Sequence, residues 1–73
     1  HRMSAKAGRT LTALFQAFLD DPRLLPEESQ QQTALLEKTG GMDGRARAVA
    51  DYIAGMTDRY AITEYERIFN PAT

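Results

Sequence analysis

Ala50-Asp51-Tyr52-Ile53-Ala54-Gly55-Met56-Thr57-Asp58-Arg59-Tyr60-Ala61 is the stretch whose reading decides the fold. Its apolar positions continue a row that begins upstream. Ala46, Val49, Ile53, Met56 and Tyr60 follow a 3-4-3-4 spacing, which is the stripe of a buried helix with a heptad-like seam. Asp43 is placed to cap this helix. The same run holds two carboxylates, two tyrosines, an arginine and a glycine. At spacings of four and three, Asp51, Gly55 and Asp58 share one face of such a helix, next to the seam. Arg47 lies four residues before Asp51 and can pair with it, whereas Arg59 points elsewhere.

Downstream, Thr63 followed by Glu66 is a capping-box pattern, so a separate last helix is expected to start near 63. Ile62 and Tyr65, with Ile68 and Phe69, would form its apolar face, and Asn70-Pro71 stops it. Upstream, a first helix is expected over Ser4–Asp20, with Ser4 as N-cap. Ala7, Leu11, Leu14, Phe15 and Phe18 give its stripe. Gly8 marks either a close backbone approach or simple tolerance near a helix start. Asp20-Asp21-Pro22 ends the helix, because proline disfavours α geometry in the residue before it. Leu24 and Leu25 form a loop that wants burial. Pro26, Glu27 and Glu28 suit the first turn of a second helix. That helix is expected to be short or frayed, across about 27–38, and to be broken by Gly40-Gly41. No strand-like alternation and no internal repeat appears. The fold class is therefore all-α, a small bundle of three to four helices.

Seventy-three residues make a single helical domain over 1–73 or a piece of something larger. A domain of this size buries only about 60% of its unfolded surface. Cores below about 70–80 residues usually need a disulfide, a metal or a partner. The chain has no cysteine, which excludes a disulfide and a thiolate metal site and fits a cytoplasmic origin. Nine basic and ten acidic side chains leave a net charge of -1. There is no basic stripe of the kind that neutralises a phosphate backbone, so nucleic acid is not an expected partner. No apolar run approaches the roughly 18 residues of a membrane helix, so no membrane association is expected. His1-Arg2 precede Met3, so the chain reads as an excised fragment, with a tag remnant as the plainer account of His1.

From spacing alone, the Asp51–Gly55–Asp58 face reads as a solvated surface with ion pairs worth about 0.3–0.5 kcal/mol each. A glycine between two acids also suits close approach by a partner. Asp51 and Asp58 would lie about 10 Å apart along a helix axis, too far to share one ion. The only histidine is His1, and no His-Asp pair exists. No metal ligands and no catalytic residues are therefore expected in this chain. Tyr52, Tyr60 and Tyr65 could stack on a base or bond a phosphate, although a helical tyrosine is more often core with its hydroxyl at the rim. Gly40-Gly41 lacks the lysine and the preceding strand of a phosphate loop. Ser4, Ser29 and His1 have no companions for nucleophilic catalysis.

The run from Asp51 to Ala61, followed by Glu64-Tyr65-Glu66-Arg67-Ile68-Phe69, resembles the C-terminal signature of bacterial deoxyguanosinetriphosphate triphosphohydrolase-like proteins. Those are metal-dependent phosphohydrolases with an HD-type catalytic domain, and the tail carrying the signature is their phosphohydrolase-associated domain. Leu14-Phe15, then Asp21-Pro22-Arg23-Leu24-Leu25-Pro26, has the spacing of the same family's helix, short loop and Leu-Pro stretch. The resemblance is densest over 49–69, whereas over 27–45 only length and polarity agree. Ala50 stands where many relatives carry cysteine, a conservative packing change.

The resemblance implies a fragment of a larger HD-type enzyme that hydrolyses a dNTP to deoxynucleoside and triphosphate. Mg²⁺ or Mn²⁺ would be bound in the parent, outside this chain. The domain would support the catalytic core or an oligomer interface, with the parent's own HD domain and a second copy as partners. Asp51, Tyr52, Gly55, Asp58, Arg59 and Tyr60 become candidates for substrate or domain contact. A preference for dGTP does not follow. A stand-alone helical protein-interaction module remains the alternative. A helix-turn-helix DNA binder over 44–69 is disfavoured by the near-neutral charge. Cut from its catalytic domain, the fragment would leave part of the 46–60 seam, or the Leu24–Leu25 pair, uncovered.

Overall fold

The computed structural model describes residues 5–70, with side chains from residue 8 onward. The expected cap at Ser4, the stripe position Ala7 and the origin of His1 fall outside what is described. Among the described residues there are helices and no strands: α1 (Ala5–Asp20), a 3-10 turn (Pro22–Leu24), α2 (Glu27–Ala54) and α3 (Asp58–Phe69). This is the all-α small bundle expected from the periodicity.

α2 is not one rod. Gly41 has φ 61° and ψ -141°, a backbone shape that breaks the helix and turns the chain. It divides α2 into a first arm, 27–40, and a second arm, 42–54. The conformation is close to glycine-only, since a Cβ there costs on the order of 1–3 kcal/mol. Of the expected Gly40-Gly41 break, Gly41 alone carries the distortion. Asp43 therefore lies in the first turn of the second arm rather than at its cap. The first arm is also longer than the short or frayed helix expected over 27–38.

The two arms fold back against each other. Ser29 and Gln32 of the first arm line one groove with Ala48, Asp51 and Tyr52 of the second. Thr33 and Ala48 are the buried residues on the facing stretches, along with Val49. At the tight end, a Cβ placed on Gly44 would lie 2.6 Å from the Leu36 carbonyl carbon, and nearer still to its oxygen. Gly44 is thus the point where the two backbones touch. Arg45 fastens the same end. Its Nε and Nη2 donate to the Glu37 carboxylate at 3.1 and 2.8 Å, and its Nη1 donates to the Leu19 carbonyl at 2.8 Å. That carbonyl is in the last turn of α1, where backbone acceptors lack helical partners.

The core gathers Leu14 and Phe18 of α1, Leu25, Val49 of α2 and Ala61 of α3. Leu11, Phe15, Leu24, Tyr52, Ile53, Met56 and Ile68 pack around it. Full burial of side chains such as Phe18, Leu14 and Val49 contributes about 1.5–3 kcal/mol each. The Leu24–Leu25 pair is therefore covered from within the chain, as is most of the 46–60 seam. The loop before α2 is held by polar contacts. Gln30 Nε2 donates to the Leu25 and Arg23 carbonyls at 2.8 and 3.2 Å, and Asp21 caps the 3-10 turn through the Arg23 amide. Gly8 meets nothing where a Cβ would stand, so tolerance rather than close approach explains it.

Two boundaries differ from expectation for one reason. The seam was read as one helix through Tyr60, but the helix stops at Ala54 and Gly55 forms its C-cap. The last helix starts at Asp58 instead of near 63. Its N-cap is Thr57, whose hydroxyl accepts the Tyr60 amide at 3.0 Å. Thr63 does not cap; its hydroxyl donates to the Arg59 carbonyl one turn back at 3.1 Å. Thr57 is a β-branched residue in extended geometry with a hydroxyl acceptor, and the negative Asp58 follows in the positive first turn. Those two local preferences override the apolar period across Met56.

The hairpin yields a test within three neighbouring glycines. Gly44→Ala forces the two backbones apart and is expected to destabilise the fold by about 1–3 kcal/mol. Gly41→Ala is expected to cost a similar amount through its positive φ. Gly40→Ala, which meets open space, is expected to be neutral or to stabilise by up to about 1 kcal/mol. Thermal melts of the three variants measure the order directly.

Candidate functional site

The break at 55–57 rearranges the signature residues. In an unbroken helix Tyr52 and Tyr60 would be about 12 Å apart along the axis. With the chain turned at Gly55, their hydroxyls are hydrogen-bonded at 2.9 Å. The Tyr52 ring reaches into the core and meets Phe18 edge-on, with centroids 5.6 Å apart and planes at 79°. Tyr52 thus has the expected form for a helical tyrosine, a core ring with its hydroxyl at the rim. The Tyr60 side of the pair stays exposed.

Beneath this pair lies a carboxylate that the sequence reading did not single out. Glu64 is only 6% exposed. Arg67 answers it bidentately: Nη2 donates to Oε1 at 2.7 Å and Nε to Oε2 at 3.0 Å. The same Nη2 donates to the Leu24 carbonyl at 2.9 Å, tying α3 to the loop before α2. A buried carboxylate without such a partner would carry the full cost of its desolvation. Among the described residues no buried side-chain polar atom lacks a hydrogen-bond partner. The i, i+3 spacing of Glu64 and Arg67 was a readable sign of this pair. Its burial was hidden, because Glu64 sits where an apolar residue would be expected.

Burial raises the Tyr52 hydroxyl above the ordinary tyrosine value of 10.0. The hydrogen bond with Tyr60 adds to this, and so do the nearby charges of Tyr60 and Glu64, against a smaller opposing pull from Arg67. Tyr52, Tyr60, Glu64 and Arg67 therefore form one coupled polar group at the junction of α2 and α3. It can hold geometry and offer a hydroxyl. It has no nucleophile–base pair and no ligand set.

The remaining candidates spread around the turn. Asp51 belongs to α2, Gly55 is its C-cap and Asp58 opens α3, so the three do not share one helix face. That expectation fell with the continuous helix. Asp51 and Arg47 are both exposed and 3.9 Å apart, a pair worth little. Asp58 and Arg59 are exposed, and among the described residues neither is in an ion pair. A Cβ on Gly55 would meet only its own helix, the Tyr52 and Asp51 carbonyl oxygens at 3.7 and 4.0 Å, which is ordinary contact. Nothing among the described residues requires glycine there. The groove beside Asp51 and Tyr52 is shallow and measures about 240 Å³. Among the described residues no three His, Cys, Asp or Glu side chains are grouped to hold a metal ion. No helix among them is long and apolar enough to cross a membrane.

Comparison with known proteins identifies the setting. The family described as the phosphohydrolase-associated domain matches residues 1–67. A deoxyguanosinetriphosphate triphosphohydrolase-like protein of Thiobacillus denitrificans is 56% identical over 68 residues, 93% of this chain and 16% of that protein. One so named from Bordetella pertussis is 52% identical over the same shares. A third, from Geobacter sulfurreducens, is 49% identical over 70 residues, 96% of this chain and 16% of that protein. The chain spans about one sixth of the length of these curated relatives. No solved structure gives a match.

Two measurements test the junction. Arg67→Ala leaves Glu64 without its partner and is expected to cost about 1–3 kcal/mol in stability. For Tyr52 the folded value lies above the unfolded one. Its contribution is present in full below pH 10.0 and is lost as pH rises beyond it. The melting temperature should therefore fall above pH 10.0, and Tyr52→Phe should make that fall shallower, as read by thermal melts across alkaline buffers.

Proposed function

The chain belongs to the phosphohydrolase-associated domain family, and from that premise we propose that it is the C-terminal helical domain of a dNTP triphosphohydrolase. The parent reaction is hydrolysis of a dNTP to deoxynucleoside and inorganic triphosphate. The observation that carries this reading is the 52% identity to a deoxyguanosinetriphosphate triphosphohydrolase-like protein across nearly the whole of this chain. Among the described residues no ligand set for a metal ion is grouped, and in this reading the Mg²⁺ or Mn²⁺ of such an enzyme belongs to the catalytic part of the parent. What this chain supplies is a shaped helical surface for the HD-type catalytic part or for an oligomer of the parent. The enzyme's expected place is the cytoplasm.

Support for a contact at the 51–60 corner comes from side chains the fold leaves unused. Asp51, Asp58, Arg59 and Tyr60 are exposed, while Tyr52 is anchored to Phe18 and holds Tyr60 by its hydroxyl. The turn keeps these groups in fixed order at one corner of the domain. Charged groups on a rigid turn suit docking against the catalytic domain or reaching the edge of its substrate. Gly55 sharpens the point. The described residues give it no reason to be glycine, which leaves room for a neighbour that approaches it.

Gly55→Leu separates the two cases. On a free surface the change is expected to be harmless or mildly stabilising, since Gly55 has a φ of -86°, which leucine can adopt, and the substitution reduces the freedom of the unfolded chain. In the full-length parent we expect lower stability, by about 1–3 kcal/mol from overpacking, together with reduced triphosphate release from a dNTP panel. Asp58→Asn should weaken the same contact. The 73-residue chain alone is expected to release no triphosphate with either cation. Turnover by the purified chain alone, or an unaffected Gly55→Leu parent, would overturn the reading of this corner. A wild-type parent that hydrolyses no dNTP would overturn the proposed reaction.

A further inference from the structure

α3 has apolar side chains on two adjoining faces, about 100° apart around the helix at 3.6 residues per turn. The inner face turns Ala61 and Ile68 toward the core, with the neutralised Glu64 between them. The outer face turns Ile62, Tyr65 and Phe69 to solvent, at 55%, 37% and 47% exposure. These three are spaced by three and four, a helical stripe of their own. The Tyr65 and Phe69 rings are already paired, with centroids 4.7 Å apart. The expected apolar face of this helix was Ile62, Tyr65, Ile68 and Phe69; of these only Ile68 packs on the core. The apolar arc is thus wider than the core covers, and its uncovered part is a surface for a further neighbour.

The outer stripe borders a cleft in the described molecule. That cleft is about 570 Å³ and runs between α3 and the start of α1, with Arg9, Thr10, Ile62, Tyr65 and Glu66 among its lining. Arg9 and Glu66 place opposite charges on its walls. Among the described residues neither is in an ion pair. The cleft lies between two helices and sets two apolar side chains, Ile62 and Tyr65, among polar ones that include a charge of each sign, a mixed lining that suits a third, amphipathic helix.

We infer that this groove is the seat of a helix from the parent's own catalytic part, apolar on its inner side, with a carboxylate for Arg9 and a cation for Glu66. The inference rests on the reading of the chain as the C-terminal domain of a longer hydrolase. Two observations select this occupant over a second copy. The matched relatives have about six times the length of the matched segment, since it makes up 16% of them. The groove also lies beside the start of α1: Arg9 is four residues past Ala5, about 6 Å along the helix. A catalytic part joined ahead of α1 therefore emerges next to the groove and docks as an intramolecular event. A second copy would need about 800 Å² from each partner. Three side chains that are roughly half exposed offer on the order of 300 Å².

Hydroxyl-radical footprinting of the full-length parent tests the proposal. Leu35 and Met42, exposed on the hairpin, serve as open references within the same domain. Tyr65 and Phe69 are expected to be protected several-fold relative to the denatured protein, and to stay protected when the protein is diluted until sedimentation shows a monomer. Phe69→Ser, at a position this chain does not bury, should restore the reactivity of Tyr65. Open reactivity of Tyr65 and Phe69 in the native parent would overturn the inference. Protection lost on dilution to the monomer would overturn it in favour of a second copy. Triphosphate release is measured on the same sample. Protection without dNTP hydrolysis supports the groove's occupant and counts only against the proposed reaction.

Discussion

The close contact between Gly44 and the Leu36 carbonyl is the constraint on which the rest of this small fold depends. A chain of this length has few apolar side chains to spend, so its helices must lie near one another to bury them. Gly41 turns the chain and Gly44 lets the returning arm touch the outgoing one. Only then do Val49 and Tyr52 reach Leu14 and Phe18 of α1. Arg45 holds that geometry by bridging Glu37 on one arm and the last turn of α1. One guanidinium thus fixes three helical segments, and it satisfies a backbone acceptor that α1 cannot satisfy itself.

The second turn, at 55–57, does for the signature what the first does for the core. It converts residues that are distant along a helix into neighbours. The Tyr52–Tyr60 hydroxyl pair and the Glu64–Arg67 pair both depend on α3 starting at Asp58 and lying back over the junction. Buried charge is usually a poor source of stability, but it specifies geometry well when fully paired. Here the pair sets where α3 sits, since Arg67 also bonds the Leu24 carbonyl. That placement leaves Asp51, Asp58, Arg59 and Tyr60 outside as a polar corner, and Ile62, Tyr65 and Phe69 outside as an apolar edge. The domain makes up about one sixth of its relatives' length, and these two surfaces are what its own fold leaves uncovered among the described residues.

Much of this was legible in the sequence, and the failures have physical causes. Helix content, the stripe of α1, the stop at Pro22 and the break near Gly41 all follow from local preferences that tertiary contacts reinforce. The family resemblance over 49–69 pointed to the family that the comparisons identify. The apolar period misled at Met56, because a stripe can continue in register across a turn when both flanking helices pack on one core. Thr57, an N-cap ahead of an acid, was the sign that was passed over, and the capping-box pattern at Thr63 set the expected start six residues late. Gly44 was not singled out, since a close backbone approach is a property of the partner segment and leaves no local mark. Gly55 was singled out for such an approach, and among the described residues it makes none. Glu64 escaped notice because a glutamate carries no sign of its own burial.

Nuclear Overhauser contacts in the isotopically labelled chain test the central claim most directly. The hairpin predicts cross-peaks between the Gly44 α-protons and Leu36. A helix running straight through Gly41 would hold those residues about 12 Å apart, beyond the reach of the effect. Strong Gly44–Leu36 contacts would establish the fold on which both surfaces rest. Their absence, with unbroken helical contacts from Thr39 through Asp43, would contradict it.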